Sequence, residues 1–171
     1  MKVCVGLFGT CGGSRWRDAF IERYEAAGMK DGVDFFNPQV EDWDPSMAEI
    51  EAEHLAEDAV ICFPITSETY SLGSLAEVGF SALNASGLDS RRDFIVMIEQ
   101  GLDPSLMEDE TLAKESTRGR ALVLQHLKKL RFANIFVVTT LAEMLEVSLA
   151  CYNKAKMMEP MMRRFNPHSE G

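Results

Sequence analysis

Five short apolar runs punctuate the chain, separated by longer stretches of helical period. The runs are KVCVGLF (2–8), VDFFNP (33–38), AVICFPI (59–65), DFIVMIE (93–99) and ANIFVVT (133–139). They are apolar almost throughout rather than alternating, which is the pattern of strands covered on both faces. Between them, RWRDAFIERYEAAG (15–28) places Trp16, Phe20 and Tyr24 on one helix face and stops at Gly28. PSMAEIEAEHLAED (45–58) reads as a helix with Ser46 as its N-cap. A third helix begins in SLGSLAEVGF (71–80) and runs to about Gly87. A fourth covers 109–130, with Gly119 as a candidate bend, and a fifth covers about 140–158.

Strands alternating with helices predict a doubly wound, five-stranded parallel sheet, flavodoxin-like or Rossmann-like, with helices on both faces. The 171 residues suit one domain over 1–160 followed by a C-terminal tail at 161–171, whose last residues, NPHSEG (166–171), are expected to fray. Ligands of such sheets bind at the carboxyl ends of the strands, where strand order reverses. The loops at 9–14, 37–44, 64–74 and 99–108 are therefore the candidate site.

Composition narrows the ligand. The formal net charge is −10 and no Lys/Arg cluster is present, which argues against a nucleic-acid partner. No run approaches the roughly 20 apolar residues of a membrane span, and the N-terminus reads as a strand rather than a secretory signal, so a cytoplasmic location is expected. The four cysteines are scattered without a C-x-x-C pair, and the three histidines are isolated. That spacing predicts reduced thiols, with no metal and no cofactor.

Each loop carries candidates with two readings. GTCGGS (9–14) lets backbone N–H groups approach a ligand through Gly9, Thr10 and Gly13, or is a tight β–α turn. It lacks both the G-x-G-x-x-G spacing and the Walker lysine. Arg15 and Arg17 either hold a phosphate or are solvated charges. In NPQVEDWDP (37–45), Asn37 could read a ligand's hydrogen bonds, Trp43 could stack on a base or plug the core edge, and Asp42 and Asp44 read as turn and cap residues. In the third loop Ser71 is a natural N-cap. Gly73 in the first turn gives up about 1 kcal/mol of helix propensity, which suggests close approach to the backbone. Gly79 suits close helix–sheet packing. Glu77 has Gly73, Ser74, Ser81 and Asn84 as helical neighbours, opposite an apolar stripe of Leu72, Leu75, Ala76, Phe80 and Leu83. By periodicity it is a solvated charge; by position it faces the crevice.

The segment SLGSLAEVGFSAL, preceded by AVICFPIT, resembles the nucleoside 2-deoxyribosyltransferase superfamily. The shared pattern is Ser71, Gly73, Glu77, Val78 and Gly79, and FGTCGG resembles the superfamily's first loop. The likeness covers about the first 100 residues in layout, and the N-terminal half looks most like the deoxyribosyltransferase-like branch. It implies that Glu77 is a nucleophile that attacks C1′ of a 2′-deoxynucleoside. The resulting deoxyribosyl ester then passes the sugar to a second base or to water. It implies a second acid about eight residues before Asp58. The count lands on Ile50, with Glu49, Glu51 and Glu53 around it, and a one-residue shift gives Glu51. Ser71 stands where the transferases carry Asp and the related deoxynucleotide N-hydrolases carry Ser, which points to 5′-monophosphates. The transferases' first-loop tyrosine is replaced by Phe8 and Gly9, and Arg15 would substitute for the hydrolases' phosphate arginine. The expected partner is thus a small nucleoside or nucleotide, bound by Ser71, Gly73 and Ser74. The resemblance also implies a homo-oligomer, dimer or higher, for which the Met-rich MMEPMMRRF (157–165) is a candidate contact surface.

Overall fold

The computed structural model describes residues 1–40, 44–88 and 92–166. Five strands, β1 (Lys2–Leu7), β2 (Phe35–Phe36), β3 (Asp58–Ile65), β4 (Asp93–Ile98) and β5 (Ile135–Val138), pair in the order β2-β1-β3-β4-β5. Every pairing is parallel. Strand order reverses between β1 and β3, so the crevice there is the switch point of a flavodoxin-like sheet.

The five helices are α1 (Trp16–Ala26), α2 (Met47–Glu57), α3 (Leu72–Leu88), α4 (Glu110–Lys129) and α5 (Leu141–Phe165). They divide between the two faces of the sheet. On one face Trp16, Phe20 and Tyr24 of α1 and Met144, Cys151 and Tyr152 of α5 pack on Val5, Leu7, Val60 and Cys62. On the other, Val78, Ala82 and Ala85 of α3 and Leu127 of α4 pack on Ile61, Phe63, Phe94 and Val96. Adjacent residues of one strand thus feed opposite cores, which is why the strands read as unbroken apolar runs. No described helix is long and apolar enough to cross a membrane.

Five local expectations change. β2 contracts to two residues, because residues 31–34 form a turn through Gly32 at φ 68° and Pro38 has no N–H for a ladder. α4 runs unbroken through Gly119, where an added Cβ would lie 3.3 Å from Leu75 Cδ1. That glycine serves the approach of α4 to α3. The boundary at residue 160 also falls. α5 continues through Pro160 to Phe165, and Arg163 pairs with Glu159 at 2.7 Å across the proline. Finally, the α3 stripe that meets the sheet is Leu75, Val78, Ala82 and Ala85, whereas Leu72, Phe80 and Leu83 face outward. Gly79 has nothing within 4 Å of its Cβ position, so close sheet packing does not explain it.

Candidate active site

Two buried arginines shape the switch-point crevice. Arg17 leaves α1 and donates from Nε to the Leu7 carbonyl at 2.9 Å and from Nη1 to the Thr10 carbonyl at 2.8 Å. Trp16 Nε1 reaches the same Thr10 carbonyl at 2.9 Å. Arg120 leaves α4 and gathers the loop after β3. Nη1 donates to the Glu99 carbonyl at 2.8 Å, and Nη2 donates to the carbonyls of Thr66 at 2.9 Å and Thr69 at 2.7 Å. Burial lowers the pKa of both guanidiniums, but their donors meet oxygen dipoles on the backbone.

Thr10 and Ser71 join the two loops behind the crevice. Thr10 donates its N–H to the Pro64 carbonyl at 2.9 Å, and its Oγ1 accepts the Thr66 N–H at 2.9 Å. Ser71 Oγ lies 2.8 Å from Thr69 Oγ1 and 3.4 Å from both Thr10 Oγ1 and Arg120 Nη2. Ser71 adopts φ 52°, a left-handed conformation that strains a residue with a Cβ. Its carbonyl accepts the first helical bond of α3, from Leu75 N–H at 2.9 Å. Gly9, at φ 94°, lets β1 run against β3, since an added Cβ would stand 2.3 Å from the Pro64 carbonyl oxygen.

In front of this scaffold lies a cavity of about 420 Å³. Phe8, Gly9 and Cys11 wall it from the β1 end, Glu51, Ala52 and Leu55 from α2, and Gly73, Ser74 and Glu77 from α3. Of the expected residues, Glu77, Glu51, Gly9, Gly73 and Ser74 therefore meet in one space. An added Cβ at Gly73 would touch nothing within 4 Å, so this glycine opens the cavity rather than admitting another protein segment. Burial, and then the neighbouring Glu51 charge, raise the Glu77 carboxyl above the usual glutamate range. Among the described residues no side chain donates a hydrogen bond to Glu77.

The other expectations separate from this cavity. Thr10 and Ser71 are buried behind it as structural links, and Ser71 Oγ caps no helix N–H. Gly13 is exposed, and Arg15 turns to solvent, where it pairs with Asp18 at 2.6 Å. Asn37 Oδ1 accepts the Gln39 N–H at 3.1 Å in a local turn, while the adjacent Pro38 lines the cavity. Trp43 lies outside the described residues. Asp44 accepts the Ser46 N–H at 2.7 Å, ahead of α2, and Ser46 makes no side-chain cap bond. Arg120 was missed as a site-forming residue. Its signal is the buried stripe Ala113, Ser116, Arg120 and Leu127 of α4, where an arginine breaks an otherwise small or apolar face.

Metal-ligand side chains also converge away from the cavity, where Cys4, His54 and Asp58 come together at the amino end of β3. Compared with family models, curated proteins and solved structures, the chain matches none.

Proposed function

We propose that the cavity cleaves or transfers the N-glycosidic bond of a 2′-deoxynucleoside, with Glu77 as nucleophile and Glu51 as the second acid. The carrying observation is that these two glutamates, from α3 and α2, line one cavity at the switch point. Two carboxylates facing one space are what double displacement at a sugar carbon uses: one attacks while the other handles the leaving group's proton. Attack of a Glu77 oxygen on C1′ forms a glycosyl ester as the C1′–N bond breaks. Glu51 supplies a proton to the departing base. A second base or water, giving its proton to the now ionised Glu51, then attacks C1′, which breaks the ester and regenerates the Glu77 carboxylate.

The described lining carries both glutamates and no Lys or Arg, while Arg17 and Arg120 are committed to backbone carbonyls. An uncharged nucleoside fits this field better than a 5′-monophosphate. A second reading is a binding module of the same fold that senses a nucleoside without turnover. The absence of a described donor to Glu77 favours it. Incubation with each deoxynucleoside and deoxynucleotide, with and without acceptor base, followed by chromatography, separates the two. Base release that disappears in Glu77→Ala supports catalysis. Release unchanged in that variant removes Glu77 as nucleophile, and saturable binding without release from any substrate supports the sensor.

A further inference from the structure

Cys4 on β1, His54 in the last turn of α2 and Asp58 at the start of β3 play no part in the glycosidic reading. Cys4 and Asp58 are fully buried, and His54 is nearly so. One donor atom from each lies within 4.8 Å of the other two. His54 Nδ1 faces the carboxylate squarely, 3.0 Å from each Asp58 oxygen. We propose that these three side chains form a binding site for a borderline-soft divalent cation of the zinc class.

The donor set selects that class. Thiolate, imidazole and carboxylate together suit zinc and its neighbours, whereas calcium and magnesium favour oxygen alone. Tetrahedral bonds of about 2.0–2.3 Å place ligand atoms about 3.3–3.8 Å apart. The His54–Asp58 pair need open by less than about 1 Å, and the cysteine sulfur close by up to about 1.2 Å, to reach that spacing.

The surroundings hold the donors in place. Gly6 leaves room for the carboxylate, since an added Cβ would stand 3.0 Å from Asp58 Oδ2. The β1–β3 register is irregular between Lys2 and Val5, beside Cys4, and such irregularities re-aim side chains. The His54 ring stacks on Phe36 at 3.8 Å and 4°, which fixes the plane of the imidazole. Two cations bear on the site: Lys2 acts on both Cys4 and Asp58, and the buried Arg92 feels the Asp58 charge while its Nη1 donates to the Leu55 carbonyl at 2.8 Å. Loading the site admits one divalent cation and releases the Cys4 thiol proton. The cluster gains one positive charge, beside the buried Asp58 carboxylate.

Such an ion would tie three elements together. α2 has no fully buried residue, so its hold on the sheet is thin, and it carries the Glu51 wall of the cavity. The inference does not depend on what the cavity binds.

Chelator-treated full-length protein titrated with Co²⁺ tests it. The expected result is one equivalent bound, with thiolate-to-cobalt charge-transfer absorption in the near ultraviolet and tetrahedral d–d bands. Added Zn²⁺ abolishes these bands and raises Tm by several degrees. Cys4→Ala removes the charge-transfer band, whereas Cys11→Ala, an exposed-thiol control, keeps it. His54→Gln, a second variant that leaves the thiol in place, weakens cobalt binding at least 10-fold. No charge-transfer band at stoichiometric Co²⁺, or a band that survives in Cys4→Ala, overturns the site.

Discussion

Arg120 Nη2 donates to the Thr69 carbonyl at 2.7 Å, so a helix beyond β4 holds the loop that launches α3. The same guanidinium reaches Glu99 and Thr66, and three carbonyls lose their donor if it is removed. Arg120→Ala should destabilise the protein by about 3 kcal/mol or more, since buried acceptors are left unpaired. Arg120→Lys should recover only a fraction, because one ammonium cannot reproduce the planar fork. Urea unfolding followed by circular dichroism measures both. A loss under about 1 kcal/mol in Arg120→Ala would contradict this role.

Gly73 separates stability from access. Its backbone lies at a negative φ and its Cβ position is open, so Gly73→Ala should stabilise α3 by up to about 1 kcal/mol. The added methyl enters the cavity next to Ser74. Thermal melts should show a higher Tm, while nucleoside binding or turnover falls. A variant with unchanged Tm and unchanged ligand affinity would show that the first turn neither gains propensity nor borders the ligand.

Glu77 has its pKa raised in the folded protein, first by burial and then by Glu51. Relative to the unfolded chain, the fold therefore favours the protonated form. That contribution to stability is complete below the usual glutamate pKa and is lost as pH rises through the raised value. Glu77→Gln lacks this titration. The difference in Tm, variant minus parent, should grow as pH rises from 4 through the weakly acidic range and then level off. A difference that stays constant with pH contradicts the shift. Nucleophilic turnover in the parent should rise through the same range, as the carboxylate forms.

The outward stripe of α3 exposes Phe80 at 55% and Leu83 at 72%, beside a groove between α3 and α4 of about 310 Å³. A contiguous apolar surface of this kind favours association. Light scattering across protein concentration should show self-association that Phe80→Asp with Leu83→Asp reduces. Tm at low concentration should change little. If association persists in the double variant, the Met157, Met161 and Phe165 face of α5 becomes the surface to substitute next.

The sheet was legible because each strand feeds both cores, and that demand writes continuous apolar runs into the chain. β2 was overread because Val33 and Asp34 belong to a turn whose length the hydropathy pattern does not register. Glu77 was legible from the rule that ligands sit at strand carboxyl ends, together with the small residues around it, whereas Glu51 was reached only through the spacing that the family resemblance implies. Ser71 was placed correctly and assigned the wrong partners. A serine before a helix normally caps it, but here the φ of 52° turns the hydroxyl toward Thr69 and Thr10. Arg120 stayed hidden because an arginine in a charged helix reads as solvated. The partners that bury it come from loops some 50 residues earlier in the chain. Cys4 and Asp58 are similarly remote in sequence, so no short metal motif marks them.

Of the four thiols in this chain, Cys4, Cys62 and Cys151 are buried and Cys11 alone is exposed, at the cavity wall. The native protein thus carries its own occupancy reporter. A thiol-directed fluorophore should label one position, without prior cysteine removal, and its rate should fall when a ligand fills the space between Glu77 and Glu51. Candidate nucleosides can be ranked by that protection without measuring turnover.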